Sequence, residues 1–178
     1  MELNLSYIHL SISSIIRHCG RDFKICLIDD KSFNTLIPDW TTELDRVGSP
    51  LKEKIRFLAK LKLLKYYGGM FVPQSFMCLH SLKNIMYEGL KNNQPFVIDK
   101  LNDTLNGGHY IASTDIIGCN KNDPVIDEII QANELLISKD YTSNSVILGS
   151  NEDMLSKMIT SSKINVIDSK HFGSKDID

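Results

Sequence analysis

No apolar run in this 178-residue chain approaches the ~18 consecutive residues that a membrane-spanning helix requires. The first twenty residues, MELNLSYIHLSISSIIRHCG, lack a basic leader, and their apolar residues are periodic rather than continuous, so they do not read as a secretory signal. Charge of one sign is scarce as well. A formal net charge of −2 and a pI near 6.2 argue against a nucleic-acid or membrane-surface binder driven by bulk charge. Cysteine is sparse and spread out: Cys19, Cys26, Cys78 and Cys119 form no C-x-x-C pair. His9, His18, His80, His109 and His171 show no ligand spacing either. Both facts argue against a zinc site or a disulfide framework, and leave buried or idle thiols in a reducing compartment as the expectation. There is no G-x-G-x-x-G and no P-loop, so dinucleotide and nucleoside-triphosphate chemistry lack their phosphate cradles. Internal repeats, low-complexity tracts and linkers are absent too. The expectation is a single soluble, cytoplasmic domain over residues 1–178.

What is present is an ordinary globular composition, 42% hydrophobic and 24% charged, enough to bury a real core. The most informative stretch is SPLKEKIRFLAKLKLLKYYGGMFVPQSFMCLHSL, from Ser49 to Leu82. Ser49 suits an N-cap and Pro50 the first helical position. Leu51, Ile55, Leu58 and Ala59 form one apolar stripe, and Phe57, Leu61 and Leu64 a second, which predicts a helix with neighbours on more than one side. Gly68 and Gly69 stop it, because the residue past a helix end often needs a positive φ. Met70-Phe71-Val72 is then a short strand, interrupted or at an edge at Pro73.

Around this unit, helices and apolar strands alternate. Leu5 to Cys19 reads as a helix with Ile8, Ile12, Ile15, Ile16 and Cys19 on one face and Gly20 as its stop. The run Phe23 to Ile28 predicts a strand buried on both faces of a parallel sheet. It ends in Asp29-Asp30, and ligands gather at the carboxyl ends of strands in open α/β sheets. An acidic pair there is either a site or simply the start of a turn. Asn34 to Gly48 is irregular, and Trp40, the only tryptophan, reads as a packing anchor. A helix through Met86 to Leu90 leads to a strand at Pro95 to Ile98. Asn106-Gly107-Gly108 marks a turn, and His109 to Ala112 and Ile116-Ile117 are returning strands. Asn122-Asp123-Pro124 opens a helix whose core face is Ile126, Ile129, Ile130, Asn133, Leu136 and Ile137, with Asp127 and Glu128 in its first turn. A further helix fits Ser145 to Ile159, and Ile164 to Ile167 is a last strand. The pattern predicts an α/β domain with a mostly parallel sheet and flanking helices.

The words "LLKYYGGMFV" and "LHSL", with "ICLIDDKSFNTLIPDW" and "IIGCNKNDPVIDEIIQA", resemble sugar-binding glycosyltransferases of the GT-A (nucleotide-diphospho-sugar transferase) fold. The resemblance is to the capsular-polysaccharide-synthesis and mannosyltransferase-like families, including members from large DNA viruses. It implies a donor site at the end of the Met70–Val72 strand, where those families carry an Asp-x-Asp pair that holds a divalent metal on the sugar-nucleotide diphosphate. In this chain the three positions are Pro73, Gln74 and Ser75, so both carboxylates are missing. Mn²⁺ or Mg²⁺ would then need other ligands. The resemblance also places Asp29-Asp30 near the nucleoside and the segment after Ile116 on the acceptor side. It further implies a first strand, absent ahead of the Leu5–Cys19 helix, so the expected fold is GT-A-like but incomplete at its N-terminus, whether as a fragment or as a pared-down sheet.

Transfer from a nucleotide sugar needs charge to neutralise the diphosphate leaving group, a pocket for the base and ribose, and a placed acceptor hydroxyl. Lys60, four residues after Arg56 on one helix face, occupies roughly the place of a basic residue in the family's helix, and lysine binds phosphate as a point charge. Arg56, Lys60, Lys62 and Lys65 otherwise read as the solvated flanks of a buried helix, the commoner arrangement. Gln74 and Ser75 carry no charge but can ligate weakly or bond to a sugar. His80 is a leaving-group partner or a capping residue. Asp115 and Asp140 are acids near acceptor-side segments, and otherwise cap or turn residues. The donor-side candidates are thus Asp29, Asp30, Lys60, Gly68, Gly69, Gln74, Ser75 and His80. The expected partners are a nucleotide-sugar donor and a glycan or protein hydroxyl acceptor. The competing reading is a non-catalytic relative, or an interaction domain whose sheet a partner chain completes.

Overall fold

A computed structural model of the chain describes residues 6–99, 112–139 and 150–172. Its longest helix, α3 (Leu51–Tyr67), forms where the two apolar stripes were read, and both are buried except for Leu51 at the helix start, which is exposed. Ile55, Ala59 and Leu63 enter one cluster with Phe33, Ile37 and Leu44, while Phe57, Leu58, Leu61 and Leu64 enter another with Ile117, Cys119, Ile126 and Ile129. Leu58 thus belongs to the second stripe. Leu61 and Leu64 are almost wholly covered, and burial of such a side chain contributes roughly 1.5–3 kcal/mol. The helix starts one residue later than Ser49 would set: Pro50 takes the cap position without a side-chain hydrogen bond, and the Ser49 side chain pairs with Glu53 instead.

The helix ends as expected. Gly68 has φ +67° and donates its N–H to the Leu64 carbonyl at 2.7 Å, and Gly69 follows at φ +99°. A Cβ on Gly68 would lie 2.8 Å from the Lys121 nitrogen. The closeness has a cause: Asn122 N–H donates to the Lys65 carbonyl at 2.8 Å, binding the entry to the next long helix against the end of α3.

Among the described residues four strands form one mixed sheet in the order β1-β3-β2-β4, namely β1 (Gly69–Phe71), β2 (Phe96–Asp99), β3 (Ala112–Cys119) and β4 (Asn165–Ile167). Only β2–β4 is parallel; β3 runs antiparallel to both its neighbours. The expected mostly parallel sheet is therefore corrected to a mixed one. The physical reason is that a strand covered by helices on both faces reads as a continuous apolar run whichever way it points. On one face pack α3, α5 (Pro124–Ser138) and α6 (Ser150–Thr160). The other face carries α4 (Lys83–Gly89) and the C-terminal end of α1 (Ser6–Cys19), with Met70, Phe76 and Leu82 between them. The short α2 (Phe33–Leu36) and Trp40 fill the irregular region, with Trp40 Nε1 donating to the Thr42 carbonyl at 3.0 Å and its ring 5.7 Å from that of Phe33. Trp40 is the packing anchor the sequence indicated. Asp123 caps α5, accepting from Val125 N–H at 2.8 Å. Of the expected Ser145–Ile159 helix, residues 145–149 lie outside the described residues, as do His109 and the Asn106–Gly108 turn.

The expected buried strand at Phe23–Ile28 is not formed. Phe23, Ile25 and Ile28 are partly covered, while Lys24, Cys26 and Leu27 are exposed, Leu27 to 63%. Among the described residues no backbone hydrogen bond involves positions 24–28. An apolar run becomes a strand only where a ladder receives it, and among the described residues β1 pairs with β3 alone. No helix among the described residues is long and apolar enough to cross a membrane.

Candidate functional site

The polar face of α3 meets the segment after Ile28. Asp30 accepts from Arg56 through both oxygens, Nε to Oδ1 at 2.8 Å and Nη2 to Oδ2 at 2.7 Å, and Lys52 Nζ stands 4.0 Å away. The Arg56 hydrogen bond holds the Asp30 carboxyl below the usual carboxylate range, and the same bond raises Arg56. Asp29 does something different. Its Oδ1 accepts the Ser32 N–H at 2.9 Å, so it closes a turn. The bond to the Ser32 hydroxyl lowers its pKa. Of the two readings left open for the pair, the turn describes Asp29, and a link to the helix describes Asp30.

Arg56, Lys60, Lys62 and Lys65, four of the six basic residues of α3, are not uniformly solvated flanks. Arg56 holds Asp30, Lys62 holds Glu134 at 2.7 Å, and Lys65 pairs with Asp127. Lys60 has no hydrogen bond or ion pair among the described residues, although it is half-buried. Burial lowers its pKa, the Asp115 charge opposes that, and Arg56 adds to it. Asp115 lies where β3 bulges: Val97 faces Ile117 but Ile98 faces Ser113, leaving Thr114–Ile116 unmatched. Such a bulge re-aims a side chain, and Asp115 is exposed.

The exit from β1 leads to the same end of the sheet, since Phe71 faces Ile117 and the chain leaves towards the Asp115 end of β3. Pro73 to Phe76 then form a turn, Phe76 N–H donating to the Pro73 carbonyl at 3.0 Å, with Gln74 and Ser75 exposed at its tip. Gly68 and Gly69 shape the backbone turn into β1 rather than offering side-chain chemistry. His80 is not brought to this group. It is exposed on the α1 and α4 side, where its carbonyl accepts from Cys78 Sγ at 3.0 Å and Ser81 donates to Asp22. Asp140 lies outside the described residues.

A divalent cation held in the manner of an Asp-x-Asp strand end does not fit this chain. Positions 73–75 supply at most two neutral oxygens, and hard cations of this kind rely on carboxylates. Among the described residues no group of three His, Cys, Asp or Glu is placed to hold a metal. What the arrangement offers instead is fixed positive charge: a guanidinium clamped by Asp30, and one turn along the Lys60 ammonium, which makes no hydrogen bond or ion pair among the described residues. An open depression of about 490 Å³ lies elsewhere, at the opposite end of the sheet, lined by Asp22, Lys83, Tyr87, Leu90, Asn93 and Asn120. It contains none of Asp30, Arg56, Lys60 and Asp115.

Two features escaped sequence reading. The Asp30–Arg56 link joins residues 26 apart, and nothing in the local pattern pairs that acid with that base. Lys54, which the sequence reading did not single out, is buried within α3 and donates to Ser150. Comparison of the chain with protein-family models, with curated proteins and with solved structures finds no match in any of the three.

Proposed function

We propose that the domain is a glycosyltransferase-like unit that takes a nucleoside-diphosphate sugar as donor and a hydroxyl as acceptor. The observation that carries this reading is Lys60: a half-buried cation with no hydrogen bond or ion pair among the described residues, one helical turn from the Arg56–Asp30 pair and at the β1 exit end of the sheet. An ammonium already stripped of part of its water gains more from a phosphate than an exposed lysine does. Lys60 and Arg56 would thus take the diphosphate charge, and Gln74 and Ser75 would offer neutral hydrogen bonds to sugar hydroxyls. Asp115 is the carboxylate assigned to the acceptor side. In the reaction the bond from the sugar's anomeric carbon to the diphosphate oxygen breaks. A bond to the acceptor oxygen forms, the acceptor proton leaves, and charge builds on the diphosphate, where fixed cations act most strongly.

Calorimetric titration with a panel of nucleoside-diphosphate sugars, with and without Mn²⁺, tests this. At least one donor is expected to bind under both conditions. Lys60→Ala is expected to weaken it about tenfold, the loss of one charge-assisted hydrogen bond, and Lys60→Arg to retain most of it. No binding by any donor under either condition removes the proposal.

A second reading is favoured by a separate observation: among the described residues the backbone of 24–28 and the outer edge of β1 have no strand partner. Open edges invite another strand. In this reading the domain is non-catalytic and a partner chain completes its sheet. A compact monomer that binds a donor without a partner counts against it.

A further inference from the structure

We propose that Cys19 and Cys78 form an oxidisable dithiol, a site at which a low-molecular-weight disulfide converts two thiols into a bond stapling α1 to the segment that leaves β1. The geometry carries this. The two sulfurs lie 3.6 Å apart across 59 residues of chain, with 2% and 1% of each residue exposed. Cys19 is the last residue of α1, and Cys78 sits in irregular chain between the Pro73–Phe76 turn and α4. The backbones are already pinned together, because Cys78 N–H donates to Ser14 Oγ of α1 at 2.8 Å. A disulfide needs the sulfurs at about 2.05 Å, so side-chain torsions must close roughly 1.5 Å. The flanking Met77 and Leu79 are exposed, so Cys78 lies one side chain deep and a small outward movement of its segment uncovers it. Cys26 is exposed and Cys119 is buried against the Leu64 carbonyl; neither touches another thiol among the described residues.

The chemistry balances with oxidised glutathione as the two-electron acceptor. One protein thiolate attacks a glutathione sulfur, breaking the S–S bond and releasing one glutathione thiolate. The second protein thiolate attacks the protein sulfur of the mixed disulfide and releases the other. Two protein thiols and one glutathione disulfide become one protein disulfide and two glutathione thiols, the protons passing to the departing thiolates. Burial and the neighbouring Cys19 push the Cys78 thiol up to about 11. The first attack is therefore slow while the segment is closed, since the thiolate is the nucleophile. Once made, the bond fixes α1 against residues 73–80 and stiffens the tip that carries Gln74 and Ser75. The inference does not depend on sugar transfer.

The test is incubation of the whole chain with oxidised glutathione at mildly alkaline pH, alkylation of the remaining thiols, and peptide mapping by mass spectrometry. Cys26 reports that the oxidant acted, by acquiring glutathione. The expected result is a linked peptide pair containing Cys19 and Cys78, lighter by two hydrogens than its reduced parts. The melting temperature should rise on the order of 10 °C, as closure of a loop of this length implies, and fall back on reduction. Cys78→Ser is expected to abolish the rise while Cys26→Ser keeps it. If Cys19 and Cys78 are both recovered alkylated after Cys26 has taken up glutathione, the proposal fails. It fails equally if each carries its own glutathione, or if either links to Cys26. The map of the unsubstituted chain decides even where a serine variant does not fold.

Discussion

Lys60 lies one helical turn from Arg56, the partner of Asp30, yet Lys60 and Asp30 make opposite contributions to stability. Lys60 gives up hydration without gaining a partner among the described residues, so the folded state holds its charged form less well than the unfolded chain does. Its folded pKa lies below the unfolded value. Between the two values the unfolded chain binds more protons, and stability rises with pH across that alkaline window. Lys60→Met is therefore expected to stabilise the ligand-free protein by about 0.5–1 kcal/mol near neutral pH, of the order expected for relieving a partly desolvated charge, and to remove that alkaline rise. Urea denaturation at several pH values measures both, and a destabilised variant would show that Lys60 has a partner. Asp30 works the other way. Its folded pKa is depressed by Arg56, so its contribution is complete above the unfolded carboxylate value of about 3.9. The contribution disappears as pH falls through the folded value. Because the pair is partly exposed, Asp30→Asn should cost only about 0.5–1 kcal/mol at pH 7. The gap from the parent should close on acidification, as read from denaturation midpoints along an acid series.

At the scale of elements, the turn from α3 into β1 was legible because it is local. Two glycines after an apolar helix encode a positive-φ stop, and both adopt it. The two are not equivalent, however. Gly68 combines φ +67° with the nearby Lys121 nitrogen, whereas a Cβ at Gly69 would meet nothing within 4 Å. Gly68→Ala should cost roughly 2–3 kcal/mol and Gly69→Ala about 1 kcal/mol, and chemical denaturation of the two variants checks the order. The Asp123 cap of α5 was equally legible, since cap, proline and periodic apolar face lie within a few residues. Strand direction was not, because the residues of β3 record burial and not which neighbour they join. The Phe23–Ile28 run misled for a related reason: its composition suits a central strand, but pairing is decided by distant backbone. At the site, the basic face of α3 could be seen, but which of its cations stays unpaired depends on Asp30, Asp127 and Glu134 arriving from elsewhere.

Across the whole molecule, protection should follow the ladder rather than hydrophobicity. In native-state hydrogen exchange the amides of residues 24–28 should exchange at nearly the unprotected rate, while those of Phe96–Ile98 and Ile117–Cys119 should approach the global limit. Comparable protection in the two sets would mean that the Phe23–Ile28 run pairs after all. The central position of β3 has a consequence for how the sheet comes into being. β1 and β2 emerge first from the chain end being synthesised, point the same way, and have no bonds to each other, because the place between them belongs to residues 112–119. A nascent polypeptide halted before that stretch would hold two orphan strands and no sheet, so assembly waits for a keystone that arrives late and is set in reverse.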